Sequence, residues 1–362
     1  MSVWKKVASA AGGGGGVTYL AATSTSSPYV TLLEVTSGGS IALATTYTTN
    51  AAAYGIDFSH DNSYLAVTTS SSPYLTMLDH TTAGSLSLAS TYTLSSPPDT
   101  DNGAGVAFSP DSAYLALAYG TPTSRNFTGA SVLLSHSAGS LTFADDGSFT
   151  FATNGSGVSF HPSGDYIAFG LGRAENTPSG TAYTGYFVLL DHTTPGTLTT
   201  ADTYETYPGA LNDSTRQSND VSFAPSGDYV IYSGDSTPGF ILMNVSTPGS
   251  VSVAATYSGA SAAGVAFTKT SDDYIALARG ATSSSNVTIM DHTTPGTMSV
   301  ATTYTTSGTV NDVDFSSDDA FVCAVGDSSP YLTLLSFSGG SLTLAATYVL
   351  SGSGRGVAFS KA

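Results

Sequence analysis

Histidines and carboxylates are the residues in this chain that could do chemistry, and their spacing decides which kind. There are six histidines. His80, His192 and His292 stand in "LDHTT", "LDHTT" and "MDHTT", and His136 in "LSHSA" holds the same place. His60 and His161 share a second recurrent context, "SHDN" and "HPSG". Equal positions of separate repeats are carried apart by the repeat itself, so these rings cannot converge within the roughly 2 Å that ligands of one metal need. The expected role of the Asp-His pair is structural, with Asp and Thr side chains capping a tight turn. No metal site and no cofactor is expected. G-x-S-x-G, H-E-x-x-H, the P-loop and the dinucleotide fingerprint are all absent. "GLGRAEN" at 170–176 has two glycines of that fingerprint, lacks the third, and no helix follows.

Three other groups of polar and aromatic residues are candidates for binding. Tyr54, Asn219, Asp220, Asn311, Asp312 and Arg355 sit at the start of recurring "xVxF" segments. Arg125, Asn126, Phe127, Arg173, Glu175, Asn176, Tyr183, Asn212, Arg216 and Gln217 fall in the longest connections. Arg, aromatic and amide side chains suit a protein or glycan epitope. Trp4, the only tryptophan, and its neighbours Lys5 and Lys6 would anchor the chain if its start docks on something.

The elements that position these residues are repeats. "YGIDF", "AGVAF", "SGVSF", "NDVSF", "AGVAF", "NDVDF" and "RGVAF" end at Phe58, Phe108, Phe160, Phe223, Phe267, Phe315 and Phe359. They recur at roughly 45–60 residues, and each of the first six opens a unit of four short β-like runs separated by turn residues. That is the pattern of a β-propeller blade. With strands a to d running outward from the axis, "xVxF" is strand a. The residue between Val and Phe is small or polar, as crowding at the axis requires. Whether a cation sits beside two of these residues, Asp57 and Asp314, is left open. Residues 17–47 read as strands b, c and d without an a, and residues 355–360 supply an a with nothing after it. Six whole units plus one shared blade give an all-β, seven-bladed propeller of four-stranded antiparallel blades, closed by the C-terminal strand. Residues 1–16 form an N-terminal arm with the linker Gly12–Gly16, and residues 17–362 form the propeller.

Alternating strands place the a–b and c–d turns on one face and the b–c and d–a connections on the other. The long connections at 93–105, 119–130, 170–185 and 205–220 all belong to the second face, as do the six residues at the start of strand a, which surround the channel mouth. Insertions on one face often mark a binding surface.

Composition narrows the partners. The net charge is −17 and charged residues make up only 10% of the chain. Scarce cations argue against nucleic acid and against attraction to anionic membranes. No apolar run reaches the roughly 18 residues of a membrane-spanning helix. Between the Lys pair and "ASA" stands only Val7, too little for a secretion signal. Cys323 is the only cysteine, in a strand-like "AFVCAVG", and is expected to be buried.

"GVAFSPDSAYLALA" at 105–118 resembles the "VAFSPDG" turn of WD-repeat propellers. "GGSLTLAATYVLSGSGRGVAFSKA" at the C-terminus and "PYVTLLEV" at 28–35 resemble more closely the lactonase-like and YVTN propellers, over residues 17–362. That resemblance implies a ligand or active site near the channel opening, with Arg355 and Asp312 holding a substrate. The WD dipeptide itself is replaced by "DH". Propellers host many activities, and the neutral, hydroxyl-rich surface without a secretion signal favours another reading. The expectation is a non-enzymatic binding or assembly module of a bacteriophage virion, as a receptor-binding tail or fibre propeller or a capsid decoration. Its partners would be other virion proteins and a host surface protein or glycan, in a symmetric multicopy assembly. The alternatives are a lactonase-like hydrolase or sugar-acid-binding propeller, and a cytoplasmic WD-type scaffold.

Overall fold

A computed structural model describes residues 17–94, 105–119, 130–146, 153–177, 180–205, 218–234, 238–258, 262–280 and 286–361. The arm residues Trp4, Lys5 and Lys6 lie outside them. The described residues form seven four-stranded antiparallel sheets and no helix. Blades 1 to 6 follow one another in the chain, with inner strands Ala53–Phe58, Gly105–Phe108, Thr153–Phe160, Ser218–Phe223, Ala262–Phe267 and Val310–Phe315. Blade 7 is the shared one. Its inner strand is Gly354–Phe359, followed outward by Thr18–Ser24, Val30–Val35 and Ile41–Tyr47. Phe359, Ala358 and Val357 pair with Leu20, Ala21 and Ala22.

Each blade buries both faces, one against each neighbour. Strands b and c therefore read as continuous apolar runs, "YLAVTT" and "LTMLD" in blade 1, as doubly covered strands do. Strand d lies at the rim and alternates between exposed and half-buried. The apolar side chains gather in seven clusters, one in each gap between adjacent blades. Cys323 is fully buried among them.

One joint repeats in every gap. The c–d turn of each blade carries a glycine at positive φ: Gly39, Gly84, Gly139, Gly196, Gly249, Gly296 and Gly340. The aromatic residue that opens strand b of the preceding blade covers it, and in most gaps so does an alanine of that blade's strand d. A Cβ added at Gly139 would lie 2.7 Å from Tyr64 Cε1 and 3.0 Å from Ala89 Cβ. Only glycine tolerates both the left-handed conformation and that contact.

The recurrent histidines belong to the same joint. His80, His136, His192 and His292 donate from Nδ1 to a carbonyl of their own blade's a–b turn, at Asn62, Ser112, Gly164 and Asp272, over 2.7–2.8 Å. Their Nε2 atoms accept the N–H of the joint glycine. Each ring meets the preceding blade's tyrosine edge to face. Phe337 takes this place in blade 6, against Tyr274, so packing rather than chemistry selects the position. Asp79, Asp191 and Asp291 accept from the backbone and hydroxyl of the Thr two residues on, which is the expected cap.

One expected loop is largely strand. Residues 170–185 extend blade 3 as a hairpin of Tyr166–Thr177 and Gly180–Asp191, paired in register from Tyr166↔Asp191 to Thr177↔Gly180. Its Thr- and Tyr-rich second half favours pairing, which the turn-like Gly and Asn residues conceal in the sequence.

Candidate functional site: the central channel

The seven inner strands enclose a lumen of about 750 Å³. Tyr54, Asp220, Asn311, Asp312 and Arg355 line it. The Asn219 side chain lies outside the described part. So do Arg125, Asn126, Phe127, Asn212, Arg216 and Gln217. Arg173, Glu175, Asn176 and Tyr183 belong to the blade 3 hairpin, in pairs with Thr184, Ala182, Thr181 and Ala174.

Asp220 and Asp312 precede the Val of strand a, where the other five inner strands carry glycine. Each reaches from its own blade to the next. Asp220 accepts the N–H of Val221 at 2.8 Å and of Val265 at 2.9 Å. Asp312 accepts those of Val313 at 2.8 Å and Val357 at 2.9 Å. Both aspartates border blade 5. Val265 N–H points to Asp220, while a Cβ on the adjacent Gly264 would collide with Asp312 Oδ1 and lie 2.7 Å from Asp312 Cα.

Enclosure by the channel wall, aided by the Asp314 charge, pushes Asp220 up to about 7. The same enclosure, then the charges of Asp220 and Asp314, raises Asp312 well above the carboxylate range. Burial disfavours the ionised form, and a like charge nearby does so again. The folded protein thus holds a proton on Asp220 that the unfolded chain releases near pH 4. Stability is therefore expected to fall as pH rises from about 4 through about 7, and the raised Asp312 acts in the same direction. With lumen water screening part of the effect, the loss is on the order of 1–2 kcal/mol. Chemical denaturation at pH 5 and pH 8 measures it. An Asp220→Asn variant should flatten the dependence, and an unchanged slope in that variant would remove Asp220 as its source.

Deeper in the lumen stand Asp57 and Asp314. Asp57 Oδ2 accepts Phe108 N–H at 2.8 Å and Asp314 Oδ2 accepts Phe359 N–H at 2.9 Å, each from the next blade. Their other oxygens face cations supplied by the chain itself. Lys361 Nζ lies 2.6 Å from Asp57 Oδ1, and Lys269 Nζ 2.7 Å from Asp314 Oδ1. Sequence reading missed both lysines. The signal was present, since "FTK" and "FSK" put them at one position just after strand a.

At the upper mouth Asn311 Nδ2 donates to Asp327 Oδ1 at 2.9 Å and to the Gly354 carbonyl at 2.8 Å. Arg355 Nη1 lies 3.6 Å from the same Asp327 oxygen. Asp327 was not anticipated, because nothing distinguishes it from other turn residues in "GDSSP".

No family model and no curated protein matches the chain in sequence. Its shape does match solved structures. The periplasmic gluconolactonase of Pseudomonas aeruginosa superposes with a TM-score of 0.75 at 15% identity, over 95% of this chain and 99% of that one. A 6-phosphogluconolactonase candidate from Bacteroides uniformis gives 0.73 at 13% identity, over 95% and 99%. Hydrazine synthase from Kuenenia stuttgartiensis gives 0.61 at 14%, over 85% and 90%. The chain is a seven-bladed β-propeller. At these identities the likeness carries the fold alone. It corrects the expectation of a virion module all the same. The structures that match along nearly the whole chain include propellers named as lactonases, and nothing supports tail, decoration or receptor-binding roles.

Proposed function

We propose that the propeller is a lactonase-like hydrolase acting on a lactone bound in the upper lumen. The observation that carries this reading is the pair of buried carboxyls, Asp220 and Asp312, bordering blade 5 at Val265 and Gly264 inside a polar-mouthed cavity, with Asp220 pushed up to about 7 and Asp312 raised well above its ordinary value. One carboxylate and one carboxylic acid in the same lumen supply a general base and a general acid near pH 7. The base takes a proton from water as the water oxygen bonds to the lactone carbonyl carbon. The ring C–O bond then breaks, and the departing ring oxygen takes its proton from the acid. Arg355 stands at the entrance with guanidinium donors for substrate oxygens. The names of the gluconolactonase-type structural neighbours agree with this reading.

The test is acid release from glucono-δ-lactone above the buffer rate. Asp312→Asn is expected to lower kcat by roughly 100-fold or more, and Arg355→Ala to act mainly on KM. A wild-type rate no higher than buffer, across neutral and alkyl lactones alike, would sink the hydrolase reading.

A further inference from the structure

The lumen has two chemically different walls. Among the described residues, blades 2 and 3 line it with Val106, Ala107, Pro110, Val158, Ser159 and Pro162 and contribute no charged side chain. The charged residues among the described lining come from blades 4 to 7 and blade 1. Three of these are lysine or arginine: Lys269, Arg355 and Lys361. Each stands within 4 Å of a carboxylate, at Asp314, Asp327 and Asp57 respectively. Among the described lining residues, the carboxyls of Asp220 and Asp312 make no such ion pair. A phosphate or carboxylate entering this lumen would meet acids on one side and a mostly apolar wall on the other. To reach either lysine it would have to break an existing close ion pair, at the cost of leaving a carboxylate uncompensated.

We infer that the lumen selects uncharged lactones with an apolar face or alkyl substituent, and discriminates against phosphorylated sugar lactones. The apolar part would lie on Val106, Ala107 and Val158, with the ester turned toward Asp220 and Asp312. This rests on the reading of the lumen as a lactone site, and it departs from the phosphorylated substrate that the name of one structural neighbour implies.

The experiment uses the full chain with δ-decalactone, glucono-δ-lactone and 6-phosphogluconolactone. Turnover is followed by acid release, and binding separately by calorimetry with δ-decalactone and 6-phosphogluconate. The expected kcat/KM for the phosphorylated lactone is at least 100-fold below that for δ-decalactone, and δ-decalactone should bind at least 10-fold more tightly than 6-phosphogluconate. Ala107→Lys, which adds an unpaired cation to the apolar wall, should narrow both ratios by about tenfold. Equal or reversed preference, or binding of neither ligand, overturns the inference. Binding in the expected order without turnover would support it while removing the hydrolase reading alone.

Discussion

A chain ending at Ser353 is expected to lose cooperative folding. The missing segment holds the whole inner strand of blade 7, and its contacts reach three blades. Within blade 7, Val357, Ala358 and Phe359 pair with Ala22, Ala21 and Leu20. Toward blade 6, Val357 N–H and Phe359 N–H satisfy Asp312 and Asp314. Toward blade 1, Asn62 clamps the Lys361 backbone from both sides, accepting its N–H at 2.7 Å and donating to its carbonyl at 2.9 Å, while Lys361 Nζ reaches Asp57. Phe359 is 2% exposed and Val357 5%. Burying one such aromatic is worth about 3–5 kcal/mol. The lost strand pairing and the freed edge of Thr18–Ser24 add to that. The sum is comparable to the roughly 5–15 kcal/mol that holds a domain together. Thermal melting followed by circular dichroism checks this, with deletion of residues 1–11 as the comparison. If the shortened chain still melts cooperatively within a few degrees of the full one, the closure is not what holds the ring.

The second large effect is expected at Gly264→Ala. The added methyl would run into Asp312, whose Cα is 2.7 Å and whose backbone neighbour Val313 N is 3.0 Å from it. The obstacle is backbone of the next inner strand, so no rotamer change relieves it. Overpacking of this kind costs roughly 1–3 kcal/mol and sometimes more. The same methyl displaces the Asp312 carboxyl from its partners, so under the proposed lactonase function turnover should fall along with stability, by an amount comparable to Asp312→Asn. Gly38→Ala is the control, because its methyl meets only Thr36 Oγ1 at 3.8 Å. A Gly264→Ala protein with wild-type melting and wild-type turnover would mean that the inner strands are free to separate, and the close approach of Asp312 to blade 5 would have to be abandoned.

The fold was legible because each blade repeats the same patterns, the doubly apolar b and c strands and the turn after Phe, and because the two half-units at the ends could be completed only by each other. The site was legible in part. Asp312, Asp220, Asn311 and Arg355 stood out by interrupting a position that glycine or a small residue otherwise holds. What could not be read was the partner of each charge. Asp57 and Asp314 invited a bound cation, yet Lys361 and Lys269 fill that need from other blades. Sequence distance hides such pairs, since blade 7 and blade 1 join residues separated by 304 positions. The functional expectation failed for a different reason. A neutral surface and a glycine-rich start describe the outside of the molecule, whereas the site proposed above lies along the axis.

The repeated joint of aromatic ring, left-handed glycine and alanine has a consequence for how the chain can evolve. A closed ring tolerates no accumulated angular error, because whatever each wedge adds must sum to one full circle. The joint works as a gauge for that wedge: a larger group than glycine would pry neighbouring blades apart at the rim, and a smaller ring than Tyr or Phe would let them lean together. Duplicating or losing one unit would therefore demand the same small change in all the joints at once. The number of blades is held less by how many units the chain encodes than by the thickness of a tyrosine ring laid against a bare backbone.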